Sequence, residues 1–193
     1  RCSHLLTLVD KESFSNTYGC FDRNYWHYKI KDFPSGMSQE SIYPLALAIK
    51  NNIFKNLSGS SHNEIRNIIK YGAKFSLLNQ NFNGSVDDYF PFEQASGATA
   101  FSTFAIIRCI EDQYINLTHV EINLLKRRIN WLSIHKESGN LSNHEALISL
   151  ILIKASKIFN SNKFYDNSLY RINRLLSWRN NEGWFEEYGG LDI

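Results

Sequence analysis

Apolar residues recur along the chain at the three-to-four-residue spacing that lines one face of an α-helix, and they do so in two ways. Residues 61–78, 118–135 and 166–178 each carry a single stripe. The stripes are Ile65, Ile68, Ile69 and Ala73; Ile122, Leu125, Ile129 and Leu132; and Leu169, Ile172 and Leu176. One stripe predicts a helix with one face on a core and the other in solvent. Residues 38–50, 96–112 and 142–159 are apolar on most sides, as in Phe101, Phe104, Ile106, Ile107 and Ile110, or Ile148, Leu150, Ile151 and Leu152. Those segments predict helices enclosed by neighbours. Strand-like alternation is nowhere sustained.

Helix starts are marked by Ser or Thr followed three residues later by Glu: Ser61 with Glu64, Thr118 with Glu121, and Ser142 with Glu145. In this spacing the hydroxyl and the carboxylate each satisfy a backbone N–H that helix geometry leaves unpaired, so three capping boxes are predicted. Residues 79–85, 136–141 and 180–190 hold the Gly, Asn and Ser that turns require. Outer and inner helices that alternate through short connections predict an all-α fold, an α/α toroid built of antiparallel hairpins. In such an array every connection leading into an inner helix lies at the same end. These connections are residues 18–37, 87–95, 139–143 and 181–193. The alternation calls for a further inner helix after the last of them, so the toroid is expected to be incomplete.

Composition narrows the function classes. The 193 residues are 43% hydrophobic, 14% aromatic and 21% charged, which suits one globular domain with a substantial core. The longest apolar-rich run, residues 146–153, is far short of the roughly 20 residues of a membrane span. Lys and Arg number 21 against 19 Asp and Glu, with the signs interspersed, so no nucleic-acid partner is expected. The one basic run, Lys126-Arg127-Arg128, reads as the solvated face of an outer helix. Cys2, Cys20 and Cys109 have neither metal-ligand nor disulfide-framework spacing, and no metal or cofactor is expected. Asn56, Asn83, Asn116 and Asn140 head Asn-x-Ser/Thr triplets, which the Asn-rich composition suffices to explain. The chain opens on Arg1 without a basic leader and apolar stretch, so we treat 1–193 as a partial domain of a longer protein.

The candidate chemistry lies in the four connections. The first holds Asp22, Arg23, Asn24, Tyr25, Trp26, His27 and Tyr28. Aromatic rings stack on the apolar faces of sugars while Arg, Asn and His fix hydroxyl and carboxylate groups, so Arg23, Tyr25, Trp26, His27 and Tyr28 are candidate saccharide ligands. The same aromatics would equally pin a loop to the body. Glu93 follows Tyr89, Phe90 and Phe92 and either contacts substrate or caps the helix after it. Asn143 and His144 sit in the first turn of an inner helix, where the dipole favours anions, or are merely first-turn residues. Trp184 and Tyr188 either stack on a sugar or plug the core.

The pair Asn143-His144, followed some forty residues later by the Gly-Trp-Phe-Glu-Glu-Tyr-Gly-Gly-x-Asp stretch ending at Asp192, resembles the helical part of heparinase II/III-like polysaccharide lyases. The resemblance extends to the aromatic segment 21–37 and to residues 93–101. It implies β-elimination on a uronic-acid-containing polysaccharide, an acidic poly- or oligosaccharide partner, and a bacterial, periplasmic or cytoplasmic setting. Asn143 and His144 match the family's carboxylate-neutralising positions. Removal of the C5 proton needs that neutralisation, because the enolate otherwise adds charge to charge. A Tyr or His must take the proton, and Tyr188 stands in the stretch that precedes the family's catalytic Tyr. Two other readings stand beside it. A glycoside hydrolase on the same scaffold would use a carboxylate pair from Asp22, Glu93 and Glu187. A non-catalytic carbohydrate-binding or assembly protein would keep the aromatics alone.

Overall fold

Capping decides where the long helices begin. The computed structural model describes residues 2–53, 61–187 and 190–191. Helix α4 (His62–Leu78) starts at Ser61, which accepts from the Glu64 N–H while the Glu64 carboxylate reaches back to the Ser61 N–H. Helix α6 (His119–Ile134) starts in the same way at Thr118 and Glu121. The third predicted box does not form. Helix α7 (Ser142–Phe159) has Leu141 at its cap position, and the Ser142 N–H donates instead to the Glu187 carboxylate. Glu145 turns inward: its Oε2 accepts from Arg171 Nη1 at 2.7 Å and Arg174 Nη1 at 2.8 Å. The reason is positional. Glu145 shares the buried face of α7 with Ile148, Ser149 and Leu152, so a tertiary ion pair displaces the local bond.

The other helices are α1 (Cys2–Leu8), α2 (Arg23–Trp26), α3 (Ile42–Lys50), α5 (Ser96–Glu111) and α8 (Asn162–Ser177). A 3-10 turn, Met37–Ser41, precedes α3 where the sequence predicts one continuous helix. Helix α8 begins before the predicted residue 166 because Ser161 accepts from the Phe164 N–H without an acidic partner to announce it. Residues Glu186–Glu187 pair antiparallel with Gly190–Leu191, so a short ladder forms within the last predicted connection.

Helix α5 is the centre. Its first turns, Ser96, Gly97, Ala98, Thr99 and Ala100, are small and buried, which lets neighbours approach closely. It packs against α3 and α7, and α6 packs against α4 and α8, so α3, α5 and α7 form one row and α4, α6 and α8 another. The fold is all-α apart from the short ladder. No helix among the described residues is long and apolar enough to cross a membrane.

Three burial expectations shift. Ala146 and Leu150 of α7 are exposed. Leu169 and Leu176 of α8 are also exposed, while Phe164, Ser168 and Arg171 take the buried face. That face is centred on a charge, which a hydrophobic stripe cannot reveal. Arg171 is held by Glu145 and also donates to the Leu132 carbonyl at 2.6 Å and to the His135 carbonyl, tying α8 to α6 and α7. The basic run is the third case: Lys126 and Arg127 are exposed, but Arg128 is fully buried. Arg128 donates to Gln80 Oε1 at 2.9 Å and to Ser76 Oγ at 3.0 Å, with no carboxylate paired to it among the described residues. Burial pulls its guanidinium down to about 9.

Candidate functional site at the amino end of α5

The loop before α5 is shaped by its own carboxylates. Asp87 accepts from the Phe92 and Gln94 N–H groups, each at 2.9 Å. Glu93 Oε2 gathers the N–H groups of Asp88, Tyr89 and Phe90 at 3.2, 2.8 and 3.2 Å. Glu93 therefore organises this turn rather than capping α5. Asp88 accepts from Ser35 Oγ and the Met37 N–H, joining the loop to the 3-10 turn. Five backbone bonds in so short a stretch hold Phe92 and Gln94 at left-handed φ values of 61° and 53°. The loop presents Tyr89, Phe90 and Phe92 to solvent at 77%, 69% and 86% exposure.

The first connection is used mainly for structure. Asp22 caps α2, accepting from the Asn24 and Ser35 N–H groups and from Lys31 Nζ at 3.0, 2.8 and 3.3 Å. Trp26 Nε1 donates to the Leu8 carbonyl at 2.8 Å, and the Tyr25 ring lies 6.5 Å from that of Phe75. Arg23 sits over the exposed Tyr28 ring, which His27 meets edge-on. Tyr25, Trp26, His27 and Tyr28 are not among the residues lining the cleft, whereas Asn24 and Lys31 are.

The cleft consists of two adjoining cavities of about 410 and 270 Å³ that share Met37, Asp88 and Tyr89. Asp22, Lys31 and Glu40 line the first; Glu93, Ser96, Gly97, Glu137 and His144 line the second. Residues from the first two predicted connections thus meet at one end of the helices with Glu137 and His144, which flank the third, and Glu187 of the fourth reaches Ser142 nearby. A larger cavity of about 520 Å³ at the far end of α5 is mostly apolar, with Ile115, Leu117 and Ile158 in its wall. Among the described residues Lys126 is the only charged one lining it, and no proton-transfer pair faces it there.

His144 is the centre of the second cavity. Its Nδ1 lies 2.8 Å from Glu137 Oε2, and its ring stands edge-on to Phe101 at 6.1 Å. A carboxylate at Nδ1 fixes the tautomer with the proton there and leaves Nε2 as the basic nitrogen. Nε2 makes no hydrogen bond among the described residues. The ring rests on Gly97: a Cβ there would come within 2.7 Å of Cε1 and 2.8 Å of Nε2. Helix α5 adds positive potential, because Ala95 at its cap position offers no side-chain acceptor to its first-turn N–H groups.

Asn143 is exposed and its Oδ1 accepts from the His144 N–H at 2.9 Å. Trp184 is exposed, its N–H held by Asn180, and it is not among the cleft-lining residues. Tyr188 lies outside the described residues. Sequence reasoning missed Glu137, placed in a turn seven residues from its partner, and Glu40, whose carboxyl burial pushes up and which makes no hydrogen bond among the described residues. No group of three potential metal ligands occurs among the described residues. No family model, curated protein or solved structure matches this chain at a significant level.

Proposed function

We propose that this chain is a polysaccharide lyase-like protein, its two helical rows part of an α/α toroid, that acts by β-elimination on a uronic-acid-containing polysaccharide through His144. The observation that carries the reading is the His144–Glu137 pair, with Nε2 free beside the uncapped first turn of α5. In this reading Nε2 removes the C5 proton, Glu137 stabilises the imidazolium, and the α5 N–H groups take the charge that develops on the substrate carboxylate. Neutralisation thereby moves from α7 to α5, since the Ser142 N–H of α7 already holds Glu187. Asp88, Glu93 and Glu137 in the wall oppose a dense polyanion. A chain with one uronate per repeat suits the cleft better.

The occupied amino end of α7 favours a second reading, a binding protein without turnover. Ultraviolet absorbance of unsaturated uronate separates the two. Incubated with a panel of uronate-containing polysaccharides, the chain is expected to generate the chromophore, and His144→Ala to abolish it. A flat trace with saccharide binding retained in calorimetry would support the binding protein.

A further inference from the structure

Tyr89, Phe90 and Phe92 are large rings left in solvent at 77%, 69% and 86% exposure, and Phe82 in the preceding loop is 92% exposed. A segment that only connects two helices has no use for them. The backbone beneath them is held fast. Asp87 and Glu93 commit their carboxylates to five N–H groups of the same turn. Asp87 also accepts from Asn81 Nδ2 at 2.9 Å, and Asn83 Nδ2 donates to Gln94 Oε1 at 2.9 Å, which ties the two loops together. Phe92 holds a φ of 61°, a left-handed conformation that bulky residues rarely adopt. Strain of this kind persists only where surrounding bonds over-determine it, and it is concentrated at ligand-contacting sites. The rings are thus presented in fixed positions, which spares a ligand the cost of ordering a mobile loop.

The surroundings select the occupant. Residues 82–94 contain Asp87, Asp88 and Glu93 and no Lys or Arg, which opposes an anionic lipid surface or a dense polyanion. Each of the three carboxylates is already engaged by N–H or O–H donors, which weakens its pull on a cationic partner. Tyr89 lines both cavities of the cleft, so the rings continue the cleft outward. Flat apolar rings beside such a cleft match the apolar faces of sugars. We propose that Tyr89, Phe90 and Phe92 form a rigid stacking platform that binds the uncharged sugars of a polysaccharide whose uronates are spaced apart. This platform presupposes the polysaccharide reading above but not turnover.

The test is affinity electrophoresis of the full chain through gels containing gellan, in which neutral sugars separate the uronates, or alginate, made of uronates alone. Wild type is expected to bind gellan more tightly than alginate. Phe90→Ala/Phe92→Ala should weaken gellan binding about 10-fold, the effect of losing two rings each covered on one face. Phe14→Ala removes a ring of 87% exposure from another loop and should leave binding unchanged. Phe90→Trp/Phe92→Trp keeps the flat faces and should retain binding, which a merely structural role for the two Phe residues would not allow. Circular dichroism establishes that each variant is folded. The platform is overturned by unchanged binding in the folded Ala variant, by an equal loss in Phe14→Ala, by loss in the Trp variant, by alginate bound as tightly as gellan, or by a wild type that binds neither. Ring-dependent sedimentation with phosphatidylglycerol vesicles in place of gellan binding overturns it too. Unsaturated uronate formed from gellan, with binding unaffected by Phe90→Ala/Phe92→Ala, defeats the platform alone; ring-dependent gellan binding without the chromophore defeats the elimination reading alone.

Discussion

Replacing a glycine inside a helix by alanine ordinarily stabilises it by about 0.5–1 kcal/mol. At Gly97 that gain meets the imidazole of His144, since the new Cβ would lie 2.7 Å from Cε1. A side chain yields more readily than backbone, so Gly97→Ala is expected to push His144 off Glu137 while leaving the fold intact. The result should be a melting temperature within a few degrees of wild type and loss of the His144-dependent activity. An unchanged activity would mean that the ring moves without leaving its partner. His144 itself is legible in the sequence because it stands in a helix's first turn. Glu137 is not, because a carboxylate in a turn has no period to mark it.

Helix starts show how far local rules carry. Ser61–Glu64 and Thr118–Glu121 form their boxes because both partners face solvent and nothing else competes for them. Ser142–Glu145 has the same spacing, but Glu145 faces the core and the Ser142 N–H meets Glu187. Ser142→Ala should therefore leave stability nearly unchanged. Removing the carboxylate in Glu187→Ala should cost about 1 kcal/mol, as the loss of a helix cap does. Urea denaturation of the two variants checks the contrast. Equal losses would show that the Ser142 hydroxyl does cap α7.

Across the whole molecule, the Glu145–Arg171 pair joins α6, α7 and α8. Arg171 is almost wholly buried and reaches carbonyls at the end of α6 as well as the carboxylate. Glu145→Ala leaves that guanidinium buried with its charge uncompensated, and a loss of about 3–5 kcal/mol is expected. The double replacement Glu145→Leu/Arg171→Met should recover much of this loss, because it removes both charges and fills the space with apolar atoms. Chemical denaturation of the single and double variants measures the coupling. Additive losses would show that the pair does not act as a unit.

The spans of α4, α5, α6 and α7, two of the three predicted caps and the gathering of unusual residues near the connections follow from the sequence alone. Each depends on residues three or four apart, and that spacing is the period of the helix itself. Only the tertiary structure decided that Glu93 and Asp87 are taken up by their own loop, that Arg128 is buried in a run that reads as solvated, and that Ser96 shares a cavity with His144. The contacts that set these environments join distant parts of the chain, such as Arg128 with Ser76, 52 residues apart, and Ser142 with Glu187, 45 apart. No periodicity encodes such separations. They arise when helices pack and an interior carboxylate or guanidinium must find a partner.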